Sequence, residues 1–413
     1  MPTPISSCRI CGNSSLEPVL DLGVQALTGV FPKSPDEPVG EGPLRLVKCV
    51  GDYDQACGLL QLEHSYDIDE MYGENYGYRS GLNASMVAHL HRKVERISGL
   101  VDLVAGDLVI DIGSNDATTL KAYTQEGLQL VGVDPTGTKF REYYPDHITL
   151  IPDFFSADLV RDRFGDRKAK VVTSFSMFYD LEAPMDFMEQ VAGILADDGI
   201  WVFEQSYMPA MLETNSFDTV CHEHLEFYAL KQIQWMADRV GLAIEDVEFN
   251  DVNGGSFSVT VRKSGGTRAR TPQVEEILRR ETDMGLDILE PFRAFERRVK
   301  QAREEIRGFV CRAKAAGKTV AGLGASTKGN VLLQYCGLTA DDLVAVGEVN
   351  PDKFGAYTPG SHIPIVSERD LLARSPDYLL VLPWHFRAFF EQSPKFADRT
   401  LVYPLPRLGV VEE

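Results

Sequence analysis

Two of the chain's eight histidines, His222 and His224, flank Glu223 inside the run FDTVCHEHLEFY at 217–228. An imidazole titrates near neutrality, and a neighbouring carboxylate can orient the ring or restore its charge. Glu223 and His224 therefore read as a general acid/base pair. The histidines stand two apart, whereas a zincin helix needs them four apart, so the run argues against a catalytic metal. A solvated polar turn is the alternative.

A second acidic constellation is DIGSND at 111–116, followed by Asp134 at the end of the next apolar run. A dinucleotide site would want G-x-G-x-x-G, because pyrophosphate must approach bare backbone closely. This turn has one glycine, Gly113, and Asp116 would repel a pyrophosphate while accepting a bond from an ammonium group. S-adenosylmethionine offers that group and carries no phosphate. Asp134 suits the two hydroxyls of a ribose, and Asp153-Phe154 suits an adenine, through its amino group and ring face. A purely structural unit is the alternative.

Thiols form the third group. Cys8-Arg9-Ile10-Cys11-Gly12 is a sound zinc knuckle, and Cys49 with Cys57 completes a four-thiolate set despite a longer spacing. Gly51, Asp52 and Asp54 would then form a loop bulging from the second pair. Reduced cysteines, or His64 in place of one of them, are the alternatives. A closed four-ligand zinc supports folding and leaves no position for substrate.

Phenols and small residues complete the inventory. Tyr72, Tyr76 and Tyr78 stand among glycines in MYGENYGYRSG, the composition of a lid over a pocket or of a linker with packed tyrosines. Tyr179 follows an apolar run. Gly324-Ala325-Ser326-Thr327-Lys328-Gly329-Asn330 opens a helix after Thr319–Leu323, which makes an anion site in principle, though not a Walker A loop. Asn350 and Trp384-His385 follow two further apolar runs.

The elements that must hold these groups follow from periodicity. Residues 82–100 read as a helix, Leu108–Val133 as strand–turn–helix–strand with the helix over Ala117–Glu126, and Ile148–Ile151, Val171–Met177 and Ile200–Glu204 as further strands. Asp246–Phe249 and Gly255–Arg262 form a hairpin across Asn253-Gly254. Phe292, Phe295, Val299, Ala302, Ile306 and Val310 recur at three and four, one face of a long helix started or kinked at Pro291. Val344–Val349, Tyr378–Pro383 and Leu401–Tyr403 supply strands of a second doubly wound unit, whose tips would face a nucleotide or serve only as filler.

The length allows two or three domains. A formal charge of −20 discourages binding to nucleic acid or to anionic membranes. No run approaches the ~18 apolar residues of a membrane span, and MPTPISSCRICG lacks a signal pattern, so the expectation is a cytoplasmic protein.

Taken in this order, the motifs resemble the deoxysugar C-methyltransferases. The resemblance covers nearly the whole chain, through the four cysteines, DIGSND, Asp134-Pro135, DFF at 153–155, FDTVCHEH at 217–224, NGGS at 253–256, GLGASTKGN at 322–330 and PGSHIPI at 359–365. It implies an α/β protein with a small N-terminal zinc-binding domain (1–65), a central class I, Rossmann-like methyltransferase domain (66–264, with 66–80 as a lid) and a C-terminal Rossmann-like domain (265–413). It also implies methylation by S-adenosylmethionine of the carbon next to the ketone of a nucleotide-linked 4-keto-6-deoxysugar lying between the last two domains.

By position, Asp111, Gly113, Asn115, Asp116, Asp134, Asp153, Phe154 and Ser176 would serve the cofactor, and Glu223 and His224 the proton. Tyr76, Tyr78 or Tyr179 would steady the enolate oxygen. Cys221, His222, Asn253, Gly324, Ser326, Lys328, Asn350, Trp384 and His385 would face the substrate. Two positions depart from the family pattern: Cys221 stands where a tyrosine is usual, and Tyr179 about where a histidine is. O- or N-methylation of a nucleotide sugar, or a non-catalytic binding module, are the other classes.

Overall fold

A computed structural model describes residues 2–52, 55–66, 79–266 and 269–411. The N-terminal region forms a small antiparallel sheet of β1 (Leu16–Ala26), β2 (Glu41–Cys49) and β3 (Leu60–Leu62). Side chains of β2 alternate in and out over its first half, as expected for a half-covered strand. Its Lys48 is buried, donates to the Gly58 carbonyl at 2.8 Å and lies 4.7 Å from the centre of the Phe292 ring. The sheet's remaining strand is the distant pair Glu226–Phe227, antiparallel to β3.

After helix α1 (Ala84–Leu100) the central sheet begins. Its strands are β4 (Leu108–Ile112), β5 (Gln129–Val133), β6 (Ile148–Ile151), β7 (Ala169–Phe175), β8 (Leu195–Ser206), β9 (Leu242–Asn250) and β10 (Ser256–Lys263). The spatial order is β9-β10-β8-β7-β4-β5-β6, parallel except for β10, which runs antiparallel to both neighbours. Every residue of β4 is buried, because α1 covers one face and α2 (Ala157–Phe164) and α3 (Pro184–Ile194) lie across the other. The expected strands and hairpin are all present.

The helix expected over 117–126 is not. Only the single 3-10 turn Leu120–Ala122 lies between β4 and β5. Asp116 accepts from the Thr118 amide at 3.3 Å and from its hydroxyl at 2.5 Å, and Ala117 has φ of 60°. Side-chain bonds of this kind compete with helical ones and pin the backbone as a loop.

Helix α4 (Leu230–Arg239) starts at Ala229, whose side chain cannot cap it. Glu281 of α5 (Pro272–Asp283) does so from outside, accepting from the Leu230 and Lys231 amides at 2.7 and 2.9 Å and from the Tyr207 hydroxyl at 2.7 Å. Pro291 starts the 26-residue α6 (Glu290–Ala315), and all six apolar residues of its predicted face are buried.

The C-terminal sheet contains β11 (Val320–Leu323), β12 (Val346–Glu348), β13 (Ile365–Ser367), β14 (Tyr378–Val381), β15 (Leu401–Tyr403) and β16 (Gly409–Val411), in the order β13-β12-β11-β14-β15-β16. Five strands are parallel and the last is antiparallel. Helix α7 (Thr327–Cys336) follows β11 and meets the N-terminal sheet. There Gln334 exchanges hydrogen bonds with the amide and carbonyl of Ala26, and Asn330 donates to the Thr28 carbonyl at 2.8 Å.

Candidate active site

The carboxyl ends of β4 to β7 carry the first half of the site. Gly113 and Asn115 take φ of 74° and 49°, turning the chain sharply so that the Asn115 amide donates to Asp134 at 2.7 Å. The other Asp134 oxygen accepts from the Thr136 amide at 2.7 Å and its hydroxyl at 2.5 Å. Three donors leave about one of four lone-pair sites on the carboxylate.

Asp116 is turned toward the protein. It accepts from the Gly81 amide at 3.0 Å, and Arg79 Nε lies 3.9 Å away; Asn115 in turn accepts from the Ser80 amide. Asp111 sits deeper, bonded to the Thr173 hydroxyl at 2.5 Å, with burial raising its pKa to about 7, so it supports the loop from beneath. Ser176 is exposed at the tip of β7 with φ of 54°. Phe154 exposes 51% of its surface beside exposed Asp153, an open ring face at the tip of β6. Asp134, Phe154 and Ser176 thus lie at carboxyl ends of the sheet's strands, an open aromatic face and an acid among them, a donor set compatible with S-adenosylmethionine.

The second half is the turn Cys221–His224, closed by the His224 amide on the Cys221 carbonyl. His224 donates its Nδ1–H to the Thr219 carbonyl at 2.9 Å, since a carbonyl can only accept. Its ring stands edge-on to Tyr179, centroids 4.5 Å apart. Burial first, then the charge of Lys328, lowers the His224 pKa to about 4, so the ring is neutral near pH 7. Nε2 is then a bare lone pair.

Glu223 is pushed up by burial and faces Thr28 and the Gly29 backbone, where an added Cβ would lie 2.7 Å from its carboxyl. Cys221 is buried beside it, its thiol well above the ordinary range because of that burial. His222 points the other way: fully buried, it donates to the Gly42 carbonyl at 3.3 Å and packs edge-on to Tyr66 at 4.8 Å. His222 thus faces the N-terminal sheet and not the side of the turn that holds the His224 ring.

The C-terminal module approaches the Cys221–His224 turn through the start of α7. Ser326 caps α7, accepting from the Gly329 amide at 3.0 Å, and Gly324 abuts Pro383 too closely for a Cβ. Lys328 lies within electrostatic reach of Asp218, Cys221, His224 and His385, and its own pKa is lowered by burial. Trp384 donates its indole N–H to Asp218 at 2.8 Å, and burial holds His385 near 3. Asn350 is half-buried and caps a turn through Asp352. Tyr76 and Tyr78 lie outside the described residues, as does the side chain of Asn253.

Sequence reasoning left Asp218, Thr219, Asn330 and Glu348 unassigned. Glu348 holds the amides of Ala325, Val349 and Asn350, and so fixes the β11 and β12 tips together. Asp218 and Thr219 stood within the same motif as His224, and their polarity amid apolar neighbours was the available signal.

The four thiols Cys8, Cys11, Cys49 and Cys57 gather with all sulfurs within 4.8 Å of one another, the closest pairs at 3.4 and 3.5 Å. Tetrahedral zinc with Zn–S bonds of about 2.3 Å needs sulfurs roughly 3.8 Å apart, so the cluster fits that ion with little adjustment. Asn13 offers an N–H to the Cys49 sulfur at 3.5 Å, a typical outer contact for a metal thiolate.

Comparison with known proteins agrees with this layout. Family models match a zinc binding domain over residues 8–72, a methyltransferase domain over 83–247 and a C-methyltransferase C-terminal domain over 251–406. The C-methyltransferase NovU of Streptomyces niveus is 31% identical, over 99% of this chain and 97% of its own length. Among solved structures, the CcbJ methyltransferase of Streptomyces caelestis is 13% identical over 43% of this chain and 90% of that one, with a TM-score of 0.34. The YcgJ protein of Bacillus subtilis is 14% identical over 43% and 99%, with a TM-score of 0.33. No helix among the described residues is long and apolar enough to cross a membrane. With zinc-binding, methyltransferase and C-terminal modules matched in order and a relative aligned end to end, the chain belongs to the S-adenosylmethionine-dependent C-methyltransferase family.

Proposed function

We propose that the methyl group goes to the carbon next to the ketone of a nucleotide-linked 4-keto-6-deoxysugar, and that His224 takes the proton. The observation that carries this reading is the neutral His224, its Nδ1–H committed to Thr219 and Nε2 left as a lone pair. S-adenosylmethionine supplies a sulfonium methyl as the electrophile. The chain's own task is to make the carbon a nucleophile. Nε2 of His224 takes the acidic C–H proton, and the electron pair moves onto the ketone oxygen.

That developing charge is met by fixed groups; Tyr179 beside the ring is the phenol in place, with Tyr76 and Tyr78 as further candidates. The charge of Lys328 adds to burial in keeping His224 unprotonated until it acts. Glu223, its carboxyl pushed up by burial, steadies the turn or relays the proton onward. Asp134 would take the ribose and Asp153-Phe154 the adenine, while Ser326, Lys328, Trp384 and His385 would line the nucleotide-sugar side. We read the division of labour as zinc module 1–65, methyltransferase 66–264 and nucleotide-sugar module 265–413. The zinc-ready thiols suit a reducing cytoplasm.

The test is incubation with nucleotide-linked 4-keto-6-deoxysugars in heavy water, without S-adenosylmethionine. Exchange of the ketone-adjacent hydrogen that vanishes in His224→Asn is the expected result. Methyl transfer to a sugar hydroxyl or amine with no such exchange would refute the reading.

A further inference from the structure

Behind His224 lies a second acid, Glu226, with its side chain fully buried. A cavity of about 10 Å³, the volume that takes one water, is lined by Tyr179, Ser206, Thr219, His224 and Glu226 among others. Both Glu226 carboxyl oxygens, the Ser206 hydroxyl and the Thr219 hydroxyl are buried, and none meets a hydrogen-bond partner among the described residues. Unpaired polar atoms on three residues that line one water-sized space are the conditions under which an internal water is held, since buried polar groups otherwise lose their hydration without return.

On its far side Glu226 meets Arg9, whose Nε lies 3.8 Å from it. Arg9 stands between the zinc-knuckle residues Cys8 and Cys11. Its guanidinium, 3% exposed, is fixed by the Leu62 carbonyl at 2.6 Å, the His64 carbonyl at 3.2 Å, the Ser65 hydroxyl at 2.9 Å and Glu182 at 3.3 Å. Glu226 itself is bound into the N-terminal sheet by its pairing with Gln61.

We propose that Glu226 is a positioning residue for His224, acting through one water in this cavity and braced from behind by Arg9. The inference rests on the reading of His224 as the base. The water joins Glu226 to Thr219, and the Thr219 carbonyl holds the Nδ1–H of His224. The chain of contacts thereby fixes which ring nitrogen carries the proton and where the other one points. The zinc knuckle, through Arg9, sets the far end of that chain.

The test uses the zinc-loaded full chain. Glu226→Ala should lower kcat about 10–100-fold, the effect of misplacing a reacting group by roughly an ångström, with KM for S-adenosylmethionine unchanged. Glu226→Gln keeps an amide donor and acceptor in the same space and should restore kcat to within about threefold of the parent. Thr219→Val should also lower kcat, and its effect should not add to that of Glu226→Ala, because both cut one chain of contacts. Full kcat in Glu226→Ala, or additive losses in the double variant, would overturn the proposal. Should Glu226→Ala fail to melt cooperatively, Thr219→Val decides alone: an unchanged kcat overturns the proposal and a fall at unchanged KM supports it. Ketone-adjacent exchange that persists in His224→Asn would instead remove the base assignment, an outcome separate from these.

Discussion

His224 donates its Nδ1–H to the carbonyl of Thr219, 2.9 Å away and five residues earlier in the chain. This bond selects the tautomer with a lone pair on Nε2, and burial keeps the ring from filling it with a solvent proton.

Replacing His224 by Asn should therefore stop both methyl transfer and solvent exchange of the ketone-adjacent hydrogen. Glu223→Gln should slow both by less, since a general acid or base contributes about 10²–10⁴-fold and water can replace a relay. Rates measured by mass spectrometry in heavy water check both. Glu223→Gln falling as far as His224→Asn would make Glu223 the base.

The cofactor assignment predicts that Asp134→Ala weakens S-adenosylmethionine by about 1.5–3 kcal/mol, the range for hydrogen bonds to a charged group. Part of that loss will come from the Asn115 turn, which Asp134 also holds. Calorimetry with S-adenosylmethionine and with a nucleoside diphosphate separates the cases. Equal loss of both ligands would contradict the assignment.

Elemental analysis of chelator-free protein should find about one zinc per chain, as expected for one four-ligand site. Cys8→Ser should lower zinc content and melting temperature together. Unchanged melting with zinc lost would show that the ion does not support the fold.

His222 predicts a pH effect on stability. Burial lowers its pKa to about 4 from an ordinary value of 6.5, so as pH falls through this window the unfolded chain takes up a proton that the folded one refuses. Its contribution to stability is lost as pH falls from 6.5 to 4. In His222→Gln the slope of unfolding free energy against pH should flatten there by about one proton, read from urea titrations at several pH values. An unchanged slope would show that His222 does not titrate on unfolding.

The central sheet and the long helix were legible because burial on both faces of β4 and on one face of α6 leaves a local pattern. The helix over 117–126 was misread because the Asp116 and Thr118 side chains take the backbone's role, which apolar periodicity does not report. His222 and His224 looked equivalent in sequence. The turn Cys221–His224 sends one ring to Gly42 and the other to Thr219, and only tertiary contacts reveal this. In the sequence Arg9 is only a spacer between two cysteines. Its partners, Glu182 and Glu226, lie far along the chain, and such pairs leave no trace in a local window.

The pairing of Glu226–Phe227 with β3 bears on how the molecule is made. An N-terminal sheet emerging from the ribosome lacks its edge strand until synthesis has passed residue 227, and lacks Asn330 and Gln334 until α7 appears. Contacts so distant in sequence form late, and an open strand edge invites the wrong neighbour in the meantime. The thiol cluster, drawn wholly from the first 57 residues, can close around an ion long before that point. Early metal capture would then hold the nascent sheet in register while it waits, and zinc supply during translation would bear on yield.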